Sequence, residues 1–270
     1  FKAWGNPTTF DVEIAGIRIG NVFIESGLEF TKTPNVSYSK TDYTQNGQWV
    51  TPQTLGVVEY IYQEGESVIQ IKNGGNYTTS GKATSLMGKA GSALVIPASY
   101  SNWQKNKTHT GLYFGVLLRV KDIGGMQLYP YIEGANMNAS TTTAQMNVVY
   151  LAVNKTSGRI NKRLYKKDDG YYTDQNCDPD NLYTPNDAEE VRDYAWAAFP
   201  FSTTSSTKAN WKSGCQFTYT LGFSSGVGYE DPADPFPGKP IIWDIQPNVS
   251  VEAFQSGGEN DVTDQITIIP

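Results

Sequence analysis

Apolar and polar side chains alternate with period two along residues 217–223. Phe217, Tyr219, Leu221 and Phe223 fall on one face, Thr218 and Thr220 on the other, and Gly222 closes the polar row. That alternation predicts a half-buried antiparallel strand. The same reading predicts strands over Phe10–Ile14, Val57–Tyr62, Ser67–Lys72, Ala93–Ile96, Leu112–Val120 and Gln127–Glu133. It continues with Asn147–Val153, Tyr194–Phe201, Ile241–Ile245 and Val249–Phe254. The alternation begun at Phe10 slips at Ala15-Gly16 and resumes with Ile17, Ile19 and Val22, as at a β-bulge. Leu112, Phe114, Val116, Leu118 and Val120 are interleaved with Tyr113, Gly115, Leu117 and Arg119, so this strand is expected at a sheet centre, covered on both faces at its middle. Asp122-Ile123-Gly124-Gly125 and Asp168-Asp169-Gly170 predict hairpin turns. The best helical candidate is one or two turns at Asn186–Arg192, behind Thr184-Pro185, where Asp187 and the glutamates suit a helix N-terminus.

Many short strands punctuated by Gly, Asp and Asn define an all-β class, an antiparallel sandwich or barrel. Three polar stretches, 74–91, 166–193 and 224–240, read as long loop insertions on one sandwich spanning residues 1–255, with residues 256–270 as a C-terminal tail. The alternative is a boundary within 74–91 and two smaller sandwiches. The tail carries Val262, Asp264, Ile266 and Ile268 in one alternating row behind a Ser256-Gly257-Gly258 hinge. Such a strand either completes its own sheet or adds to the edge of another subunit's.

Composition narrows the function classes. The 270 residues include 17 Tyr, 6 Trp and 26 Gly but only 18% charged residues, and the net charge is −6. Nucleic-acid binding needs clustered Lys and Arg; the one basic run, Lys162–Lys167, leads into Asp168-Asp169 and reads as a solvated hairpin strand. No apolar run approaches the roughly 20 residues of a membrane-spanning helix. Cys177 and Cys215 permit one disulfide or two unpaired, partly buried thiols.

Candidate chemistry is sparse. His109, the only histidine, lies in the polar run Lys105–Thr110 and reads as a loop residue. Paired acids (Glu189-Glu190, Asp178 with Asp180, Asp231 with Asp234) could in principle hydrolyse glycosides or hold calcium, but none matches a spaced ligand motif. The expectation is no catalytic residue, no metal and no cofactor. Loop aromatics offer a different chemistry and the alternative function, a glycan-binding module of a surface protein system: Trp103, Tyr171, Tyr172 and Tyr183 could stack on sugar rings, although aromatics in sandwiches also fill cores.

Three stretches in order, Ala93–Tyr100 (ALVIPASY), Trp196–Ser202 (WAAFPFS) and Trp211–Phe223 (WKSGCQFTYTLGF), resemble the C-terminal half of bacterial fimbrillin-type pilins, the type V pilus subunits. Residues 1–3, 12–22, 241–245 and 249–254 are similar to strands that open and close that domain. The resemblance implies a transthyretin-like or immunoglobulin-like sandwich, in a shaft, tip or anchor subunit of a fimbrium on a Gram-negative cell surface or outer membrane. It also implies other pilin subunits as partners, assembly by strand exchange with a terminal donor segment, and contact with a surface glycan or protein. The given chain has no lipobox cysteine, signal peptide or preceding domain, and a fragment or processed form is the matching expectation.

Overall fold

A computed structural model describes residues 2–4, 10–30, 47–71, 84–96, 98–101, 111–130, 148–200, 208–211, 216–222, 228–230 and 248–254. Sixteen strands, β1 to β16 in chain order, form among them, and no α-helix does. The largest sheet runs in the order β11 (Gly170–Tyr172), β10 (Ile160–Lys167), β9 (Val149–Asn154), β12 (Glu189–Pro200), β7 (Tyr113–Asp122), β2 (Phe10–Phe30), β3 (Gly47–Ile61). Off this path, β4 (Ile69–Ile71) pairs with β2, β8 (Gln127–Tyr129) with β7, and β15 (Tyr229–Glu230) with β12. A second sheet is ordered β16 (Asn248–Phe254), β14 (Gln216–Gly222), β1 (Lys2–Trp4), β5 (Thr84–Ser85). A small ribbon joins β13 (Lys208–Asn210) to β6 (Ser99–Ser101). Of the described pairings, β1 with β14 is parallel and the rest are antiparallel.

Period-two burial places the core between the two larger sheets. Val12, Ile14, Ile17 and Ile19 of β2, Phe114, Val116 and Leu118 of β7, and Ala195, Ala197 and Phe199 of β12 line one face of the large sheet. Tyr219 and Leu221 of β14 pack into the same cluster, with the Tyr219 ring 4.9 Å from that of Phe114. The aromatic chain continues outward: Trp211 Nε1 donates to the Tyr219 hydroxyl at 2.6 Å, and Tyr100 lies 5.1 Å from Trp211 and 4.9 Å from Phe23. The architecture is an all-β, antiparallel sandwich, as the alternation predicts. Tyr219 and Leu221 are buried, as expected; the side chains of Phe217, Thr218 and Thr220, and all of Phe223, lie outside the described set.

The central strand is covered on both faces, and Leu112 through Leu118 are buried throughout. Its second face carries Leu117, which joins Ala15, Tyr62, Val68, Val149, Leu151, Val153, Ile160, Tyr194 and Trp196 in a separate cluster. Two features make this second core. At Ala15 the pairing with β7 steps from Ile14↔Leu118 to Gly16↔Leu117, the bulge expected from the sequence. The extra residue is turned to the opposite face, where its side chain is fully buried and its carbonyl accepts from Tyr62 N at 2.9 Å. The segment after β3 then closes onto the β9–β10 turn through Gly65 N to Ile160 O (2.8 Å), Ile160 N to Glu66 O (2.7 Å) and Val68 N to Gly158 O (3.0 Å). Beside this core the guanidinium of Arg18 lies 4.4 Å from the Trp196 ring centroid, across Gly115, where a Cβ would come within 2.5 Å of Arg18 Cγ. Glycine here provides the room for a buried cation to sit over an indole.

Both hairpin turns form: Gly125 takes φ +88° between β7 and β8, and Asp168 takes φ +52° between β10 and β11. Two expectations are corrected. Ala93–Ile96 makes no strand, and Leu94 is 93% exposed; the run packs Ala93 and Val95 onto the core edge without a ladder partner. The helix expected at Asn186–Arg192 is a turn followed by strand, because Glu189 to Tyr194 pair with Asn154 to Val149 of β9. The strand expected at Ile241–Ile245 lies outside the described residues.

Candidate functional site

The β10–β11 hairpin carries the aromatic candidates. Its register sets Tyr165 opposite Tyr172 and Lys166 opposite Tyr171. As consecutive residues of a strand, Tyr171 and Tyr172 present opposite faces, so they do not form one stacking surface. Tyr171 packs against Tyr150 of β9, with ring centroids 5.5 Å apart, and Lys166 Nζ sits 5.9 Å over the Tyr150 ring. Burial, followed by the Asp193 carboxylate, pushes the Tyr171 hydroxyl above its ordinary pKa. Tyr183 is tied to the hairpin by its own N–H donating to Tyr171 O at 2.7 Å.

The Tyr183 hydroxyl donates to Glu189 Oε2 at 2.7 Å, and burial together with this bond raises its pKa to about 12. Glu189 is held by more than Tyr183. Asn161 Nδ2 donates to its other oxygen at 2.6 Å, and Asn186 N donates to Oε2 at 3.2 Å. The bond from Tyr183, ahead of the others, holds the Glu189 carboxyl below its usual range. The neighbouring Glu190 turns to the other face, where it pairs with Arg192 at 2.6 Å. Arg192, itself 4% exposed, also reaches Glu13 at 3.2 Å, and Tyr194 donates to Glu13 Oε2 at 3.1 Å. Glu189 and Glu190 therefore serve separate networks on opposite sides of β12 and do not face one substrate. Asp178 is likewise committed, its Oδ1 accepting from Asp180 N at 3.0 Å to cap a single helical turn at Pro179–Asn181.

Next to Asn161 the closure between the Gln63–Glu66 turn and the β9–β10 turn leaves a polar groove of about 540 Å³. Glu64, Asn154, Ser157, Arg159 and Asn161 line it. Lys162, from the middle of β10, pairs with Glu64 Oε1 at 2.8 Å. The β9–β10 turn is rigidly made: Asn154 Oδ1 accepts from Thr156 N (3.1 Å), Ser157 N (2.9 Å) and Ser157 Oγ (3.0 Å). Sequence reasoning missed this set. Nothing in the local pattern distinguishes Glu64 or Asn161, and a tertiary closure across some ninety residues brings them together.

The other exposed feature is a sheet edge. β3 ends the large sheet, and among the described residues no strand lies beyond it. Leu55 and Val57 on it are each 42% exposed, and Ile24 on the adjoining part of β2 is 50% exposed. β2 pairs with β7 only as far as Gly20, whereas its pairing with β3 runs on to Phe30. The distal β2–β3 hairpin thus extends past β7.

Trp103, His109 and Cys215 lie outside the described residues, as does the row Val262, Asp264, Ile266 and Ile268. Cys177 is a buried free thiol at φ +52°. Among the described residues no group of three or more His, Cys, Asp or Glu is placed to hold a metal ion, and no helix is long and apolar enough to cross a membrane. Compared with known proteins, the chain matches no family model, no curated protein and no solved structure.

Proposed function

We propose that this chain is a non-enzymatic, structural and adhesive subunit of a cell-surface fimbrium on a Gram-negative bacterium, assembled by addition of a strand from one subunit to a sheet edge of the next. The observation that carries the reading is the β3 edge. From Thr54 to Ile61 it ends the large sheet, its pairing with β2 stepping at Gly20/Val22 and Phe23/Glu25, with apolar Leu55 and Val57 in the open. The other outer strands are shorter: β11 has 3 residues, β5 has 2 and β16 has 7, against 15 in β3. A long edge with exposed apolar residues is a template for strand addition unless something covers it. The tail segment 262–269 has the same length as the edge segment 54–61 and supplies a row of alternating residues. The resemblance of the ordered motifs to fimbrillin-type pilins, with their transthyretin-like or immunoglobulin-like domains, points the same way.

Deletion of residues 259–270 tests the proposal. The expected result is a folded subunit that no longer polymerises within the full-length protein. Normal polymerisation of the truncated protein, or its outright unfolding, contradicts the donor role.

A further inference from the structure

We infer that the groove between the Gln63–Glu66 turn and the β9–β10 turn binds an uncharged, hydroxyl-rich ligand, an oligosaccharide, independently of how the chain assembles. The lining side chains differ in which of their ends are occupied. Asn154 spends its Oδ1 on three bonds within its own turn, at 2.9 to 3.1 Å, so its Nδ2 remains as a donor. Asn161 is the reverse: its Nδ2 is given to Glu189 at 2.6 Å, which leaves Oδ1 as an acceptor. Glu64 gives one carboxylate oxygen to Lys162 and keeps the other. Arg159 is exposed beside Gly65, and no bond ties its guanidinium to another described residue. Two donors and two acceptors thus remain uncommitted among the side chains that line the groove.

A sugar hydroxyl is both donor and acceptor, and adjacent hydroxyls on a ring present both roles over a short distance. The mixed lining matches that pattern. A phosphate or carboxylate accepts without donating and would leave Asn161 Oδ1 and the second Glu64 oxygen unmatched; a metal cation would leave Asn154 Nδ2 and Arg159 unmatched. The two amides are also each held at one end before any ligand arrives. The two amides therefore lose little side-chain entropy on binding. The volume of about 540 Å³ lies within the range of roughly 300–1,000 Å³ common for small-molecule sites.

The test is a printed array of neutral, sialylated and sulfated oligosaccharides, probed with the labelled full chain. Titration calorimetry then follows on the neutral saccharides bound, with inorganic phosphate as the anion control. Arg159→Ala and Glu64→Ala each remove one exposed group and should leave the melting temperature unchanged. The expected result is binding to uncharged saccharides, weakened about tenfold by each substitution, as loss of one charged hydrogen bond implies. Absence of array binding, binding confined to acidic saccharides or phosphate, or binding unmoved by both substitutions would overturn the inference.

Discussion

Leu221→Ala probes the contact that makes the fold a sandwich. Leu221 stands on β14 of the smaller sheet, is fully buried, and belongs to the same cluster as Ile17, Phe114 and Leu118 of the larger one. Its burial depends on the two sheets meeting face to face. The substitution removes three carbons, about 2.4 kcal/mol of transfer free energy at roughly 0.8 kcal/mol each. The cavity left between two hydrogen-bonded sheets relaxes only in part, which brings the expected cost to about 3 kcal/mol, within the observed range of about 2–5. For a chain of this size about 2 °C is lost per kcal/mol, so the melting temperature should fall by about 6 °C. Leu94→Ala is the matched control. The sequence pattern places Leu94 in a buried strand, whereas the structure leaves it 93% exposed, and its truncation should stay within about 0.5 kcal/mol. Differential scanning calorimetry and urea unfolding of both variants decide the matter. A Leu221→Ala shift no larger than that of Leu94→Ala would refute the packing of the two sheets.

Two further outcomes follow from the buried polar groups. Arg192→Met should cost about 3–5 kcal/mol in urea unfolding, because it leaves Glu13 without its cation inside the sheet; a neutral effect would show that the network is solvated. Glu66 accepts from Tyr60 Oη at 2.6 Å, Gln63 N at 2.7 Å and Lys89 N at 2.8 Å; burial opposes its ionisation, yet these bonds hold its carboxyl below the usual range. A depressed folded pKa contributes stability that is complete above the unfolded value, about 4.3, and is lost as the pH falls through the folded one. Glu66→Gln should therefore flatten the acid limb of stability against pH; an unchanged limb would remove Glu66 from the account.

The features legible in the sequence were those with a local cause. The period-two rows at Phe114–Val120 and Tyr219–Leu221, the slip at Ala15 and the two Gly- and Asp-bearing turns are dictated by neighbouring residues, and they stand where expected. The misreadings are instructive for the same reason. Asn186 and Glu189 do make the reciprocal bonds of a helix start, Asn186 Oδ1 taking Ala188 N at 2.9 Å and Glu189 taking Asn186 N at 3.2 Å. The next residues nevertheless extend, because Val191 to Tyr194 gain a full ladder against β9 and bury Tyr194. Tertiary pairing outweighs a cap worth about 1 kcal/mol. Ala93–Ile96 failed in the opposite sense: its apolar composition suits a strand, but a short apolar run does not specify a partner. The groove was invisible because its residues meet through backbone bonds between Gly65–Val68 and Gly158–Ile160, which leave no periodic trace. The aromatic candidates were found singly, but their faces follow from register, which separates Tyr171 from Tyr172.

Hydrogen exchange at the β3 edge tests the assembly proposal most directly. The full-length protein would be compared before and after polymerisation, residue by residue. Strand addition at this edge predicts new protection of amides between Thr54 and Ile61 in the polymer, with no such gain when residues 259–270 are deleted. A polymer whose β3 amides exchange as fast as those of the free subunit would contradict it.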